Sequence, residues 1–392
     1  MIFPPEIWEH ILLYVDPVAL MIFKSVCKCW KEIIDRILKD NDHWHKMCKK
    51  GIPEHLWSTF CETLSPNKLY TDFHEKHDAA TWMAMYKLWM KCKNVMKYDT
   101  QSKFIEPLPK HHRTEYITCT ATSGNLLAIG TSEGYIYLYD IHDLSKGSIH
   151  VADHLEYVQN VQFLRSETNT VCISSSINDH ISFWDVNSKK LIDTTHGKLI
   201  CTSYSYCYIA MHNMIIIEGP IPRLTYEFGT DNIIAIGADN NKVQFYTEGG
   251  HYVHLIIDQN KQNSTTICVQ PPNIKIRRYY IFKPDTVVCI TEYGYLGFLM
   301  RNKEWKVHNV LPFLHGTPTA VLVYAHILII GLDSGDVHIF YINDFETLNF
   351  NTMSSKKLTL DSTAVISLNI IVHTEEYLIV AYGKKIYFVK FI

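Results

Sequence analysis

The chain has 392 residues, of which 47% are hydrophobic and 20% are charged. Its 37 Lys and Arg residues nearly balance 40 Asp and Glu residues, which argues against a nucleic-acid partner, because neutralising phosphates requires a basic surplus. No run of apolar residues approaches the roughly 18 that a membrane span needs, so we expect no membrane partner. Length and composition predict a globular protein of two to three domains.

The N-terminus and the cysteines indicate the compartment. Residues 1–20 include Glu6, Glu9 and Asp16 but no Lys or Arg, unlike a signal peptide. The 11 cysteines are an odd number scattered along the chain, which is typical of reduced thiols rather than a disulfide framework. We therefore expect a cytoplasmic or nuclear protein.

The first quarter of the chain is predicted to be helical. Ile7, Trp8 and Ile11 recur at helical spacing after Pro5, which suits the first turn of a helix. Asp16 and Pro17 form a second start signal, because Asp caps a free amide and Pro has none to leave unpaired. Further helical periods cover 26–38, 44–48, 57–64 and 82–95. None of these short helices can bury its own apolar stripe, so each must pack against another element.

Three motifs in this region resemble an F-box. They are Phe3-Pro4-Pro5-Glu6-Ile7, Asp16-Pro17 and Val26-Cys27-Lys28-Cys29-Trp30. Their order matches the leucine-proline-x-glutamate start, the aspartate-proline turn and the valine-cysteine-x-x-tryptophan helix of that family. Phe3 and Val15 stand where the family usually has leucine. We assign 1–48 to the F-box and 49–100 to a helical linker region.

The F-box resemblance implies a docking module for the Skp adaptor and, through it, the cullin scaffold of SCF ubiquitin ligases. The positions that correspond to the family's adaptor contacts are Pro4, Pro5, Ile7, Ile11, Leu12, Val15, Leu20, Val26, Cys27 and Trp30. We expect roughly half of them to fill the helical core instead, Trp30 above all and with it Ile33, because interface anchors are few.

From 101 to 392 the sequence predicts repeated two-strand hairpins. The first joins 126–131 to 135–140 through a Gly-containing turn. The other copies are 171–175 with 181–185, 207–211 with 214–218, 233–237 with 242–246, 287–291 with 295–300, 327–331 with 336–341, and 378–382 with 385–390. Their average spacing of roughly 42 residues is that of four-stranded propeller blades. We predict seven blades, with the third the weakest and six or eight still open, and a closing strand near Phe104 and Ile105.

The repeats resemble the WD-repeat family. Phe183-Trp184-Asp185 and Leu138-Tyr139-Asp140 lie where the tryptophan-aspartate dipeptide ends the third strand of a blade. Phe245-Tyr246-Thr247 and Phe340-Tyr341-Ile342 depart from that pattern. The fold class is therefore helical and then all-β, an F-box region followed by a WD-repeat-like β-propeller.

Propeller partners usually meet the face that carries the turns between second and third strands and the connections between blades. In this sequence those turns contribute acidic residues, namely Glu133, Asp179, Asp239, Glu292 and Asp333. Arg223, Arg277 and Arg278 precede predicted inner strands on the same side. If the partner carries a phosphorylated motif, these three arginines are the candidate substrate-binding residues, because guanidinium groups bind phosphate bidentately. The alternative is that they are solvated loop residues.

No catalytic, metal or cofactor site is predicted. Cys27 and Cys29, with His43 and His45, lack the usual spacing of zinc ligands. No nucleophile elbow or phosphate-binding loop is present.

The resemblances together are to the F-box/WD-repeat proteins, and they imply a non-enzymatic substrate receptor of an SCF ligase that binds a protein substrate. Two alternatives remain, an interaction scaffold and a propeller enzyme. Apolar residues on the predicted inner strands, Val161, Phe163, Val321 and Val323, argue against the enzyme.

Overall fold

The computed structural model describes residues 3–15, 17–39, 41–64, 78–108, 114–146, 149–153, 156–165, 169–204, 206–219, 223–239, 242–258, 261–283, 286–299, 304–372 and 376–392. Within these ranges the chain begins with helices and continues as a seven-bladed propeller, as the sequence predicts. Asp16, the predicted cap, lies outside the described residues.

The helices occur where the periodicity places them. They are α1 (Pro5–Leu12), α2 (Pro17–Phe23), α3 (Lys28–Lys39), α4 (Asn41–Gly51), α5 (Trp57–Leu64) and α6 (Ala79–Lys93). Pro5 opens α1, where its missing N–H leaves no donor unpaired. The side chain of Asp78 caps α6 by accepting a hydrogen bond from the backbone N–H of Thr81 at 2.8 Å.

The first three helices have a small core of their own. It consists of Leu12, Leu20, Ile33, Ile34 and Ile37, all buried, with α1 and α2 both packed on α3. We call α1–α3 the F-box helices.

The strands form seven antiparallel sheets of four strands within the described residues. Their bounds, blade by blade, are: the closing strand β1 (Thr100–Ile105); blade 1, β2 (Ile117–Ser123), β3 (Leu126–Thr131), β4 (Tyr135–Asp140), β5 (Ile149–Asp153); blade 2, β6 (Val158–Arg165), β7 (Thr170–Ser176), β8 (His180–Asp185), β9 (Lys190–His196); blade 3, β10 (Leu199–Ser203), β11 (Tyr206–Met211), β12 (Met214–Glu218), β13 (Leu224–Glu227); blade 4, β14 (Ile233–Asp239), β15 (Lys242–Thr247), β16 (His251–Asp258), β17 (Lys261–Cys268); blade 5, β18 (Ile276–Phe282), β19 (Thr286–Thr291), β20 (Tyr295–Leu299), β21 (Trp305–Asn309); blade 6, β22 (Pro318–Tyr324), β23 (Ile327–Leu332), β24 (Asp336–Tyr341), β25 (Lys356–Thr359); and blade 7, β26 (Ser367–Val372), β27 (Glu376–Ala381), β28 (Ile386–Phe391). A short helix, α7 (Leu311–Leu314), connects blades 5 and 6.

The ring closes through its first strand. β1 pairs antiparallel with β28, so that Phe104 lies opposite Tyr387 and Ile105 opposite Ile386. This confirms the predicted closing strand and removes two free sheet edges. On the inner side, Thr120 of blade 1 donates a hydrogen bond to Ser367 of blade 7 at 2.9 Å.

The turns between second and third strands share a left-handed residue. Gly134, Gly250, Gly294 and Gly335 have φ between 75° and 92°, a region that glycine adopts without strain. In blades 1, 4 and 5 the threonine that ends the second strand accepts a hydrogen bond from the first backbone N–H of the third strand, at 3.0–3.1 Å. Local turn chemistry therefore sets the hairpin register.

One hairpin was predicted at the wrong position in its blade. The strands at 233–237 and 242–246 are the first and second strands of blade 4, because β14 is the innermost strand and β15 follows it. Phe245-Tyr246-Thr247 therefore ends a second strand, not a third. The strand pattern was right, but alternation alone does not show which strand faces the axis. Residues 240–241 of the predicted turn lie outside the described residues.

The helices after the F-box share a core with the propeller. Trp44, Phe60, Trp82 and Trp89 lie in the same buried cluster as residues of blades 6 and 7. We call α4, α5 and α6 the coupler helices. α4 crosses the predicted 48/49 boundary and packs on α6, while Leu38 of α3 contacts both this cluster and the F-box core.

Candidate functional site

The F-box helices present a large exposed apolar surface. Of the ten predicted adaptor contacts, six are exposed: Pro4, Pro5, Ile7, Ile11, Val26 and Cys27. Val15 and Trp30 are half-buried, and Trp30 packs against Trp8 with ring centroids 4.8 Å apart and ring planes tilted by 59°. Leu12 and Leu20 are 1% and 0% exposed, so they belong to the core, as does Ile33.

Sequence reasoning missed part of this surface. Five further apolar residues on these helices are exposed, namely Phe3, Leu13, Tyr14, Met21 and Ile22. Tyr14 is 81% and Ile22 is 67% exposed. The signal was available in α2, whose seven residues are all apolar, because a helix that is apolar all round cannot bury every side in a three-helix cluster. Contiguous exposed apolar surface of this kind marks interaction sites.

The propeller has two unlike faces. We call the side with the turns between second and third strands the turn face, and the opposite side the helix face. Each inner strand runs from the turn face to the helix face, because neighbouring strands are antiparallel. Helices α5 and α6 lie on the helix face, since they contact Lys283, Tyr324 and His326, which lie at or beyond the ends of inner strands, and α4 packs on α6.

Helix α5 lies across the helix-face end of the central channel. Glu62 forms an ion pair with Lys283, which follows β18, and accepts a hydrogen bond from Ser203 at the end of β10 at 3.5 Å. Tyr324, the last residue of β22, donates a hydrogen bond to Thr63 at 3.1 Å. Thus α5 is tied to blades 3, 5 and 6 at once.

The channel itself is a cavity of about 780 Å³. Arg277 and Arg278 line it from blade 5, and Lys198 lines it from the connection between blades 2 and 3. All three are exposed to solvent. Arg277 is the extra residue of a β-bulge, because Ile276 pairs with Thr291 while Arg278 pairs with Ile290. The turn-face end of the channel therefore carries three cationic side chains.

Arg223 does not join this group. It precedes β13, which is the outermost strand of blade 3, and therefore lies toward the helix face rather than before an inner strand. Its guanidinium pairs with Glu218 at 3.5 Å and donates a hydrogen bond to Thr195 at 3.2 Å. The predicted placement of Arg223 was wrong because the strand that follows it was taken as an inner strand, whereas β13 is the fourth strand of blade 3.

The acidic turns also need one correction. Asp239 ends inner strand β14 on the helix face, 3.6 Å from Lys283. The corresponding turn-face residue of blade 4 is Glu248, whose carboxylate accepts a hydrogen bond from Asn232 at 3.0 Å. Glu292 pairs with Lys275 at 2.8 Å. These rim carboxylates are therefore engaged with neighbours on their own blades.

An apolar patch adjoins blade 5 on the turn face. Tyr293 is 61% exposed, and Leu311 and Phe313 of the α7 connection are each 39% exposed. Leu311 lies directly over Gly294, where a Cβ would approach its side chain within 2.4 Å. Glycine is thus required here both by its φ and by this close approach.

The residues used to argue against an enzyme do not all line the channel. Val161 and Val321 are buried between blades, whereas Val323 lines the cavity together with Gln159, Gln162 and Thr202. The channel wall is therefore more polar than predicted, because polar residues of blades 2 and 3 line it beside Val323.

Cys27 and Cys29 are exposed and His43 is buried. Across the described ranges no three His, Cys, Asp or Glu side chains are grouped as metal ligands would be. None of the described helices is both long enough and apolar enough to cross a membrane.

Comparisons with known proteins agree with both halves of this architecture. Residues 2–41 match the F-box domain family, so the chain carries an F-box domain there. Curated protein sequences give no match. The fold is similar to the WD40 repeats of RRP9, with a TM-score of 0.58 and 12% identity over 75% of this chain and 100% of that one.

A second solved structure with a similar fold is the β-propeller domain of Cps50 (Swd1) from Myceliophteria thermophila. The TM-score is 0.52 and the identity is 10%, over 74% of this chain and 100% of that one. At these identities the likeness concerns the fold, which is a WD40-type propeller. An F-box domain joined to such a propeller suggests an adaptor role.

Proposed function

We propose that this protein is the substrate-recognition subunit of an SCF-type ubiquitin ligase. The F-box helices dock the Skp adaptor and, through it, the cullin scaffold, and the propeller holds a protein substrate for ubiquitination and degradation. The observation that carries the proposal is the exposed apolar surface of the F-box helices at the matched residues. A cluster of this kind is costly to leave in water and stabilises a complex when a partner covers it.

The coupler helices support this role. Their aromatic residues share a core with blades 6 and 7, and Lys91 of α6 forms an ion pair with Glu376 of blade 7. The coupler is therefore fixed to the propeller rather than tethered by a flexible segment. Holding a substrate at a set distance from the conjugating enzyme raises its effective concentration there, so no residue of this chain need perform the chemistry.

The turn face is the proposed substrate surface, because the coupler helices occupy part of the other face. It combines the apolar patch of Tyr293, Leu311 and Phe313 with the cations Arg277 and Arg278. An apolar anchor beside arginines suits a protein segment that carries both apolar and anionic groups, including a phosphorylated one. Arg223 is not part of the proposed surface, because it lies toward the helix face and is paired.

The adaptor assignment is tested by charging the exposed surface without touching the core. In the double variant Ile7→Lys and Ile11→Lys, we expect adaptor binding to weaken at least about tenfold, since desolvated anchors contribute about 1–2 kcal/mol or more each. Thermal unfolding should change by less than about 0.5 kcal/mol, because both side chains are exposed. Calorimetry with purified adaptor measures the first effect and a thermal melt the second.

The matched control is Ile177→Lys, which places the same charge at a comparably exposed isoleucine on the propeller. It should leave adaptor binding unchanged. Undiminished binding by the Ile7/Ile11 variant would refute the interface. Failure of the natural chain to co-purify with adaptor and cullin would favour the interaction scaffold instead.

The substrate surface is tested separately by Arg277→Glu with Arg278→Glu. We expect loss of substrate capture and unchanged adaptor binding, with Arg223→Glu as the control that changes neither. Substrates are identified by proximity labelling with and without cullin inhibition, and phosphatase treatment shows whether capture needs phosphate. Capture that survives the double reversal contradicts the assignment of these arginines.

A further inference from the structure

A column of three side chains lines the channel from inner strand β18. Arg278, Tyr280 and Phe282 alternate along the strand and therefore lie on one side of it. The rings of Tyr280 and Phe282 stack with centroids 5.7 Å apart and planes 8° from parallel. The Arg278 guanidinium carbon lies 5.8 Å from the Tyr280 ring centroid. A cation thus lies beside the first of two stacked aromatic rings, and all three side chains line the channel cavity.

The charge of Arg278 is not neutralised by the protein. Its guanidinium donates a hydrogen bond to the Tyr280 hydroxyl at 3.5 Å, Cys119 and Tyr157 lie close enough to interact with it electrostatically, and within the described residues no carboxylate pairs with it. Burial raises the pKa of the Cys119 thiol to about 11 and also raises the pKa of Tyr157, so both groups are neutral at pH 7. A guanidinium that faces the channel and pairs with no carboxylate favours an anionic ligand.

The rest of the cavity completes a site of small-molecule size. Its volume of about 780 Å³ lies within the usual range of about 300–1,000 Å³ for ligand pockets. Gln159 and Gln162 of blade 2 offer amide donors and acceptors, and Lys198 supplies a second cation. Thr59 and Glu62 of α5 line the same cavity at the helix face. The blade 5 wall of the cavity is therefore aromatic, the blade 2 wall is polar, and Arg278 and Lys198 give the cavity positive charge.

We propose that the channel binds a small planar aromatic anion. Arg278 binds the anionic group through its planar fork, the rings of Tyr280 and Phe282 contact the aromatic plane, and the blade 2 amides hydrogen-bond its edge. The site belongs to the channel and does not depend on the ligase role, so either proposal can fail while the other holds.

The test is calorimetry on the full chain with two probes, adenosine 5′-monophosphate and 2-naphthoate. Adenosine and inorganic phosphate serve as controls, because each carries only one part of the first probe, the aromatic base or the anionic group. We expect at least one aromatic anion to bind and both controls to bind at least about tenfold more weakly, since a charged hydrogen bond and a ring contact are each worth about a factor of ten. Arg278→Gln should weaken binding about tenfold or more.

Two further variants locate the site. Tyr280→Leu should weaken aromatic anions but not inorganic phosphate, while Arg223→Gln, which changes an arginine outside the channel, should have no effect. The proposal is overturned if neither aromatic anion binds at millimolar concentration, or if binding survives Arg278→Gln. Inorganic phosphate binding as tightly as the nucleotide would also overturn it, because the aromatic wall would then contribute nothing. Unchanged melting of Arg278→Gln confirms that a loss is local.

Discussion

The F-box helices and the coupler helices follow one another in the sequence, yet they use their apolar residues differently. The F-box helices bury five residues in a separate hydrophobic core and leave Ile7, Ile11 and Ile22 exposed. The coupler helices bury Trp44, Phe60 and Trp89 against the propeller. The first group therefore leaves apolar surface exposed that a partner can cover, whereas the apolar surface of the second group is already covered by the propeller of the same chain.

This difference separates binding from anchoring. A small separate core can unfold without destabilising the elements around it. A core shared by two elements is different, because a cavity in it destabilises both of them. Leu38 is the point of contact between the two groups. Changes on either side of it should have different consequences.

The largest expected effect comes from the coupler. Phe60 is fully buried, with its ring centroid 6.2 Å from that of Trp89 and 6.0 Å from that of Tyr324. Phe60→Ala should destabilise the propeller by about 3–5 kcal/mol, because the cavity opens inside the shared core. Denaturant titration followed by circular dichroism measures the loss. Phe313→Ala, at an exposed phenylalanine of the turn face, is the control and should cost less than about 1 kcal/mol. If the unfolding midpoint of the propeller is unchanged in Phe60→Ala, the coupler helices fold separately from the propeller.

A similar cavity in the F-box should stay local. Ile34 is fully buried in the F-box core. Ile34→Ala should cost about 2–5 kcal/mol there and abolish adaptor binding, while the midpoint of propeller unfolding stays unchanged. Limited proteolysis detects the loosened helices, and a thermal melt reports on the propeller. An equal fall in the propeller midpoint would mean that the two cores are one cooperative unit.

The ion pair between Glu62 and Lys283 should have an intermediate effect. Both side chains are largely covered, at 29% and 21% exposure. Glu62→Gln should cost about 1–2 kcal/mol, because among the described residues it leaves the half-buried lysine with Asp239 as its remaining carboxylate partner. A double-mutant cycle with Lys283→Met isolates the pair, and Glu54→Gln at an exposed position is the control. A coupling free energy near zero would show that this ion pair does not help to hold α5 at the end of the channel.

The smallest expected effect is a dependence on pH. Burial lowers the pKa of His326, which lies beside Trp89 at 5.4 Å, and the neighbouring His55 lowers it further. The unfolded chain therefore binds this proton more readily. Stability is fully present above the ordinary histidine pKa of about 6.5 and falls as pH drops from there through the lower folded value.

His326→Phe should reduce that acid sensitivity by at most one proton between pH 7 and pH 5. Denaturant titrations of both proteins at the two pH values measure the difference. His308 and His338 also have pKa values lowered by burial, so part of the dependence should persist in the variant. If the stability of the variant falls more steeply with decreasing pH than that of the natural chain, folding does not lower the pKa of His326.

Most of the architecture could be predicted from the sequence because its signals are local. Helical spacing around Ile7 and Ile11, the alternation in each hairpin and the Trp184-Asp185 pair all depend on neighbours a few residues away. The turn pattern could have gone further. Thr131, Thr247 and Thr291 are each followed three residues later by glycine, and this repeat identifies the true turn-face hairpin of blade 4.

The sequence by itself determined the F-box helices, the repeated hairpins and the closing strand, since short-range periodicity and turn chemistry specify them. Only the tertiary structure decided which residues meet. Strand order placed Arg278 in the channel and Arg223 toward the other face, although both looked alike as loop arginines. Packing decided that Leu12 is core while Ile11 is surface, and that the coupler helices belong to the propeller. The physical reason is that burial and shared cavities depend on contacts between segments far apart in the chain, which no local pattern encodes.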